Sequence, residues 1–234
     1  DVAKILEAFK FKSFPSVSLG RSFVITSPSR ILLRGGAQIR LLTSILKPLD
    51  LTVSRFLSPS LHRFRSRGYC VVRHLEKADE GFDDLWDRTQ HRFENTNVRT
   101  SAIINWYCFA TPQPKKELFG CYKDDRLVGY LICVLHKQRS VWPLECLDLW
   151  TETDDFEIAA SLFLTAIQFA RVNLCGVFLV SHFNSFTKQV CENLGMMRQK
   201  TLYPNMYIRI PKNMIQYITE SNTYLVRDQG DYGV

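Results

Sequence analysis

Two apolar runs, residues 118–122 and 127–135, are separated by the polar stretch Lys-Asp-Asp-Arg. Apolar runs of this length on either side of a short polar segment predict a β-hairpin. A third apolar run, residues 144–151, predicts a further strand of the same sheet. This hairpin with its third strand is the clearest structural signal in the chain, and it commits the surrounding residues to a β-sheet.

Helices and strands are predicted to alternate on both sides of this hairpin. A strand at 69–74 precedes two helices, one capped by Asp79 and one at 100–109. The elements after the third strand are a helix at 156–170, a buried strand at 177–182, a short helix at 185–194 that Gly195 stops, and a last strand at 203–210. The predicted order is therefore β-α-α-β-β-β-α-β-α-β, an α/β fold.

The net charge of +7 is concentrated at one end of the chain. Residues 1–68 contain 12 Lys and Arg against 3 Asp and Glu, a net +9, whereas the remainder has 18 against 20, a net −2. A slightly acidic folded part argues against a nucleic-acid partner. For the basic segment 31–68 two interpretations stay open: a linker that packs on a neighbouring domain, or a weak membrane-surface contact. Pro48 and Pro59 interrupt a continuous interfacial helix and favour the linker.

The seven cysteines show no C-x-x-C pair, and most of them lie in apolar runs. Their odd number and their surroundings predict reduced, buried thiols rather than a disulfide framework or a zinc site. The five histidines are scattered as well, so no metal site is predicted. Because residues 1–12 also lack the pattern of a signal peptide, the sequence predicts a cytoplasmic protein.

Two segments carry a resemblance to a known family. Residues 99–134 combine an Arg-led helix that contains a Trp with a hairpin that ends in a Gly-Tyr strand, and residues 178–196 combine a strand, an Asn and a helix that ends in Leu-Gly. Both resemble the GNAT acyltransferase superfamily, in particular GNAT-like proteins encoded with bacterial polysaccharide and cell-envelope genes. The resemblance covers residues 69–212 and implies a mixed, mostly antiparallel central sheet flanked by helices.

The same resemblance suggests a division of the chain. Residues 1–30 look like the final helix and strands of a preceding GNAT-like domain, 31–68 form a basic connector, 69–212 form the second domain, and 213–234 are a C-terminal extension. A preceding GNAT-like domain is then a partner of this one. The alternative is an N-terminal helix and arm that pack on a single domain.

The resemblance implies acetyl-CoA or another acyl-CoA as cofactor, held between the fourth strand of the predicted order (144–151) and the fifth (177–182). The positions that match are Leu149, Trp150 and Thr151 on the fourth strand, and Asn184 and Ser185 after the fifth. The family usually binds the pyrophosphate with an R/Q-x-x-G-x-G/A loop at a helix start, since only Gly lets the backbone approach so closely. Here residues 151–157 contain no Gly and no Arg but four acids, which favours an acidic, capped helix start instead.

Candidate catalytic residues also follow from family positions. Glu145 is the candidate general base, with Asp148 as the other carboxylate on that strand, and strand alternation lets at most one of them face an acceptor. Cys191 holds the place where many family members use a Tyr to protonate the leaving thiolate. Solvated strand-end carboxylates, a packed Cys191 and an Asn184 that only caps a helix are the structural alternatives.

Two hypotheses about function follow from this pattern. The first is an acyl-CoA-dependent N-acyltransferase whose small-molecule acceptor is an amino sugar or another cell-envelope precursor. The second is a catalytically inactive GNAT-fold half of a tandem protein, which serves as a structural or binding domain. The resemblance favours the first for the protein as a whole, and the acids at 152–157 favour the second for this domain.

Overall fold

The computed structural model describes residues 12–13, 20–32, 52, 70–110, 114–137, 141–199, 207–208, 219 and 221–224. The predicted N-terminal helix at 2–9 and almost all of the basic connector at 31–68 lie outside these residues. The described strands are β1 (Lys12–Ser13), β2 (Gly20–Ile25), β3 (Val71–Leu75), β4 (Lys116–Lys123), β5 (Arg126–Leu135), β6 (Leu144–Thr151), β7 (Val177–His182), β8 (Met197–Gln199) and β9 (Tyr207–Ile208). The described helices are α1 (Pro28–Leu32), α2 (Glu80–Thr89), α3 (Ser101–Phe109), α4 (Phe156–Val172) and α5 (Ser185–Asn193), with a 3₁₀ turn at Gln90–Arg92.

Seven of these strands form one mixed sheet in the order β3-β4-β5-β6-β7-β2-β8. Each neighbouring pair is antiparallel except β6 and β7, which run parallel. The helix α4 makes the crossover between these two parallel strands, as a parallel connection requires. This confirms the predicted mixed, mostly antiparallel sheet flanked by helices.

The predicted hairpin is formed by β4 and β5. Its turn is closed by the pair Lys123 and Arg126. The two central residues, Asp124 and Asp125, have positive φ angles of 50° and 58°. This is the geometry of a type I′ turn, whose twist matches that of the flanking strands, and Asp tolerates it better than most residues.

The strand β2 joins the sheet from a distant part of the chain. It pairs with β7 from Gly20 opposite His182 to Ile25 opposite Val177, and it pairs with β8 on its other side. A Cβ at Gly20 would lie 2.6 Å from the His182 ring, so a larger residue does not fit this close approach. The sequence-based division placed β2 outside the domain of 69–212, whereas its hydrogen bonds place it within the same sheet. That residues 1–30 end a preceding domain stays a prediction.

Helices cover both faces of the seven-stranded sheet, which gives two hydrophobic layers. On one face α4 and α5 contribute Ala159, Phe163 and Val190 to a core shared with β4 to β7. On the other face α2 and α3 contribute Phe82 and Ile104 to a second core. The central strands β5 and β6 are buried along nearly their whole length, as expected where a sheet is covered on both sides.

The end of the predicted domain differs from the prediction. Gly195 has a φ of 68° directly after α5, which confirms it as the residue that stops this helix. The last strand was predicted at 203–210, of which the structure describes Tyr207–Ile208. These residues pair with β1 in a separate two-stranded sheet and not with the central one. Among the described residues, no helix is long and apolar enough to cross a membrane.

Candidate functional site

The parallel strands β6 and β7 pair only at their beginnings. Their register runs from Leu144 opposite Phe178 to Cys146 opposite Val180. Beyond these residues, 147–151 of β6 and 181–182 of β7 are not paired with each other, while β7 continues its pairing with β2. The two strands therefore part toward their carboxyl ends, and we call the space between 147–151 and 181–182 the strand gap.

Backbone carbonyl groups of β6 face the strand gap. The Glu152 amide donates to the Val128 carbonyl on β5 at 2.8 Å. Because successive residues of an antiparallel strand direct their peptide groups to alternate edges, the carbonyls of Leu149 and Thr151 point away from β5 and into the strand gap. The amides of the same two residues point the same way, so a ligand lying in the strand gap would meet both kinds of backbone group.

Side chains of the same chain already bond these carbonyls. The Tyr224 hydroxyl donates to the Leu149 carbonyl. The Arg92 guanidinium donates to the Thr151 carbonyl. A ligand that used either carbonyl would first have to displace one of these donors, and a buried carbonyl without a donor is costly.

Tyr224 is held by the backbone around it. Its amide donates to the Asn95 carbonyl at 2.9 Å, and the Asn95 amide donates to the Asn222 carbonyl at 3.0 Å. Tyr224 is 7% exposed, and its ring meets the Trp150 ring edge-on, with 5.0 Å between centroids. Sequence analysis missed this residue, because its only signal is an aromatic side chain in a polar C-terminal segment.

A buried charged network lies beside Tyr224. The Arg99 Nε donates to Asp148 Oδ2 at 3.1 Å, and the Tyr130 hydroxyl donates to the same oxygen at 2.8 Å. The Arg99 guanidinium also lies over the Trp150 ring, 4.1 Å from its centroid. Asp148 is therefore engaged by an ion pair and a hydroxyl, which leaves it poorly suited to the role of a general base.

The network also shifts the pKa values of Arg99 and Tyr130. Burial by itself lowers the pKa of Arg99, but the Asp148 carboxylate together with Tyr130 and Tyr224 more than offsets this, so the Arg99 pKa is raised and the guanidinium stays charged. Burial, and then the Asp148 charge, raise the pKa of Tyr130 well above its ordinary value. Asp148 Oδ1 and Arg99 Nη2 are buried without a hydrogen-bond partner among the described residues.

The acidic segment before α4 is bound by arginines. Arg88 and Arg126 both donate to the Glu152 carboxylate, Arg126 at 2.9 Å. Arg92 donates to Asp154 at 2.6 Å. Asp155 Oδ1 accepts the Glu157 amide at 2.8 Å and caps α4, as the alternative interpretation of this segment predicted. The start of α4 is thus capped by one of the protein's own carboxylates, and the two acids before it are paired with arginines.

No family model and no curated protein sequence matches this chain. Several solved structures, however, are similar to it. A conserved protein of unknown function from Staphylococcus epidermidis is similar over 85% of this chain and 63% of its own, with 8% identity and a TM-score of 0.51. A tandem GNAT protein from the clavulanic acid biosynthesis pathway is similar over 84% of this chain and 55% of its own, with 11% identity and a TM-score of 0.50.

The fold is GNAT-like. At these identities the comparisons establish the fold alone, which agrees with the sheet order and the parting of β6 and β7. The chain spans less than two thirds of the length of both solved proteins.

The acyl-CoA that a GNAT-like fold implies does not fit the residues present. A pyrophosphate at the start of α4 would have to displace the Asp155 cap and would meet Glu152, Asp154 and Glu157 nearby. The carbonyls of Leu149 and Thr151 in the strand gap are already bonded. The Trp150 side chain lies in the hydrophobic core, where its Nε1 donates to the Thr89 hydroxyl at 2.9 Å.

The other predicted site residues are dispersed. Glu145 lies in the paired part of β6, fully buried, with its Oε2 3.2 Å from His136 Nε2. Cys191 is fully buried on α5, and burial raises its pKa to about 12. The structure does not bring Glu145 to the strand gap, because its backbone pairs with Leu179. The catalytic roles predicted for Glu145 and Cys191 stay predictions.

The residues after β7 have structural partners. Asn184 Oδ1 accepts the Thr187 amide at 2.8 Å and caps α5, of which Ser185 is the first residue. His182 at the end of β7 is buried, with its Nε2 3.3 Å from the Ser22 hydroxyl. A cofactor role for Asn184 and Ser185 stays a prediction.

Replacing Asp155 with alanine is expected to lower the free energy of unfolding by about 0.5–2 kcal/mol, because α4 loses its cap and the Glu157 amide loses its acceptor. Urea unfolding followed by circular dichroism measures this change. Asp154→Ala is the matched control, because Asp154 does not cap the helix and its own side chain is 60% exposed in its pair with Arg92. Equal losses in the two variants would contradict the assignment of the cap.

Proposed function

We propose that this chain is a GNAT-fold domain that serves as a structural or binding half of a larger protein and does not hold acyl-CoA in its own strand gap. One observation carries the proposal. The Tyr224 hydroxyl donates to the Leu149 carbonyl, a backbone group of the strand that would carry the acyl-CoA arm by family resemblance. A buried side chain is bonded to a backbone group that the cofactor would need.

Electrostatics support the same proposal. A pyrophosphate binds at a helix start through free amides and positive potential. At α4 the Asp155 carboxylate accepts an amide, and the arginines nearby are engaged by Glu152 and Asp154. The positive charge that could attract an anion is thus used within the protein.

The other half of such a protein would precede residue 1. This chain spans 55% of the length of the tandem GNAT protein to which it is similar. A preceding GNAT-like domain is the partner we propose, with the chemistry, where there is any, in that domain. The location in the cytoplasm and the weak membrane contact through 31–68 stay predictions.

A second candidate function has one observation in its favour. The strands β6 and β7 part after Cys146 and Val180, as strands must where an extended ligand lies between them. This arrangement favours an acyl-CoA-dependent N-acyltransferase, acting on an amino sugar or another cell-envelope precursor in polysaccharide biosynthesis. In that case Tyr224 would have to leave the Leu149 carbonyl when the cofactor binds.

Thermal unfolding with and without acetyl-CoA separates the two candidates. We expect the midpoint to be unchanged at millimolar acetyl-CoA, because the Leu149 and Thr151 carbonyls are already bonded and the Asp155 carboxylate caps the start of α4. A ligand at about 100 times its Kd stabilises by about 2.7 kcal/mol, which would raise the midpoint by several degrees. Such a rise, made larger by Tyr224→Phe, would contradict the first candidate and support the second. A GNAT enzyme of known acetyl-CoA affinity serves as the positive control.

A further inference from the structure

Two cysteines lie together at one edge of the central sheet. Cys70 directly precedes β3, and Cys121 lies on β4 opposite Val72. Because side chains alternate along a strand, Cys70 is directed to the same face of the sheet as Val72, and therefore to the same face as Cys121. Cys70 packs against the core that contains Cys121, on the side of the sheet that α4 covers.

The two thiols are in contact with each other. Burial, and then a hydrogen bond with the Cys70 side chain, raise the pKa of the Cys121 thiol. A disulfide requires the two sulfur atoms to close to about 2.05 Å. The described pairing of β3 with β4 begins at Val71, so Cys70 can make this movement without breaking a pair of the ladder.

Cys70 is also the thiol that solvent reaches. All seven cysteines lie in the described part of the chain, and Cys70 alone among them is not buried. Cys133 and Cys146 form a second pair, directly opposite each other on β5 and β6, but both are buried. Since thiol chemistry needs access as well as proximity, Cys70 with Cys121 behind it is the pair that a reagent in solution can engage.

We propose that Cys70 and Cys121 form a reversible disulfide by exchange with a small disulfide such as glutathione disulfide. The Cys70 thiolate attacks one sulfur of glutathione disulfide, breaks its S–S bond and releases one glutathione thiolate. The Cys121 thiolate then attacks the Cys70 sulfur of this mixed disulfide and releases the second glutathione thiolate. Two protein thiols are thereby oxidised, and their two protons pass to the two glutathione molecules that are released.

The bond would secure an edge strand. Among the described strands, β4 is the one neighbour of β3 in the seven-stranded sheet. Val71, Arg73 and His74 on β3 are exposed, so this strand is held by its pairing with β4 more than by burial. A disulfide at Cys70 fixes the end of β3 at which the basic segment 31–68 joins the sheet. This modification goes beyond the proposed function and does not depend on whether the strand gap binds acyl-CoA.

Peptide mapping of the 234-residue chain after incubation with glutathione disulfide tests the proposal. We expect the intact protein to become two hydrogen atoms lighter and to carry no glutathione. Trypsin should then release residues 68–73 joined to residues 117–123, and dithiothreitol should separate the two peptides. Cys133 and Cys146 are the internal control, because both buried thiols should stay free until the chain is unfolded.

Two variants separate the steps of the exchange. Cys70→Ser is expected to stay unmodified, because its remaining thiols are buried. Cys121→Ala is expected to hold a stable mixed disulfide between Cys70 and one glutathione, because the second thiol that would release it is missing.

Hydrogen exchange tests whether the bond forms within the folded sheet. The amides of residues 71–75 are expected to exchange more slowly in the oxidised wild type than in the reduced one, whereas those of 177–182 should not change. Faster exchange at 71–75 would show that the bond distorts the sheet and would overturn the proposal. A wild type that stays unmodified, keeps glutathione on Cys70, or cross-links a different pair would overturn it as well.

Discussion

Replacing Arg99 with methionine is expected to lower the free energy of unfolding by about 3–5 kcal/mol, because it leaves the Asp148 carboxylate buried without its cation. The side chains of Arg99 and Asp148 are 3% and 10% exposed, so water cannot replace the lost partner. The variant also loses the stacking of Arg99 on Trp150 and its bonds to Thr96 and Asn97. Urea unfolding followed by circular dichroism measures the loss.

A second substitution tests whether the buried charge causes this loss. Asp148→Asn in the Arg99→Met background removes the uncompensated carboxylate and leaves an amide that the Tyr130 hydroxyl can still reach. We therefore expect the double variant to be more stable than Arg99→Met alone. A loss below about 1 kcal/mol for Arg99→Met, the range of surface ion pairs, would contradict a buried network.

The protein is expected to unfold between about pH 10 and pH 11, because its buried thiols resist ionisation while unfolded thiols do not. Burial raises the pKa of Cys108, Cys175 and Cys191 from 9.0 to about 12, and the pKa values of Cys133 and Cys146 shift in the same direction. A thiol whose pKa is raised by folding contributes to stability at any pH below its pKa in the unfolded chain. This contribution is lost as the pH rises from 9.0 toward the pKa in the folded protein.

The size of this effect follows from the shifts. Each pKa unit corresponds to about 1.36 kcal/mol. Each thiol whose pKa rises from 9.0 to about 12 therefore lowers the free energy of unfolding by about 4 kcal/mol at pH 12. Midway, near pH 10.5, three such thiols together cost about 6 kcal/mol, which is comparable to the whole stability of a typical domain.

The measurement is the urea midpoint under reducing conditions from pH 7 to pH 11. We expect it to be constant to about pH 8 and to fall steeply above pH 9. Cys191→Ala removes one of the titrating groups, so the free energy of unfolding from the same curves should fall less steeply, by about 1 kcal/mol per pH unit. A midpoint that stays constant to pH 11 would show that the thiols are not buried as described.

Local sequence signals predicted most of the secondary structure. The observed bounds of β6 and β7 coincide with the predicted ones. The predicted cap at Asp79 and the predicted stop at Gly195 are also observed. These features depend on residues within a few positions of one another, so a single sequence contains the information that determines them.

Long-range contacts were beyond sequence analysis. The strand β2 pairs with β7 across about 155 residues, and nothing within Gly20–Ile25 indicates its partner. The same holds for the arginines that bind Glu152 and for the docking of Tyr224 on the Leu149 carbonyl. The sequence thus located the strand that faces the strand gap, but not the side chains that fill it.

Isothermal titration of acetyl-CoA into the purified chain tests the central claim most directly, namely that the protein's own side chains occupy the strand gap. We predict no binding heat at millimolar acetyl-CoA, either for the wild type or for Asn184→Ala, because Tyr224 and Arg92 bond the carbonyls of β6 and Asp155 caps α4. Micromolar binding by the wild type, weakened in Asn184→Ala, would contradict the claim and show that this domain holds the cofactor.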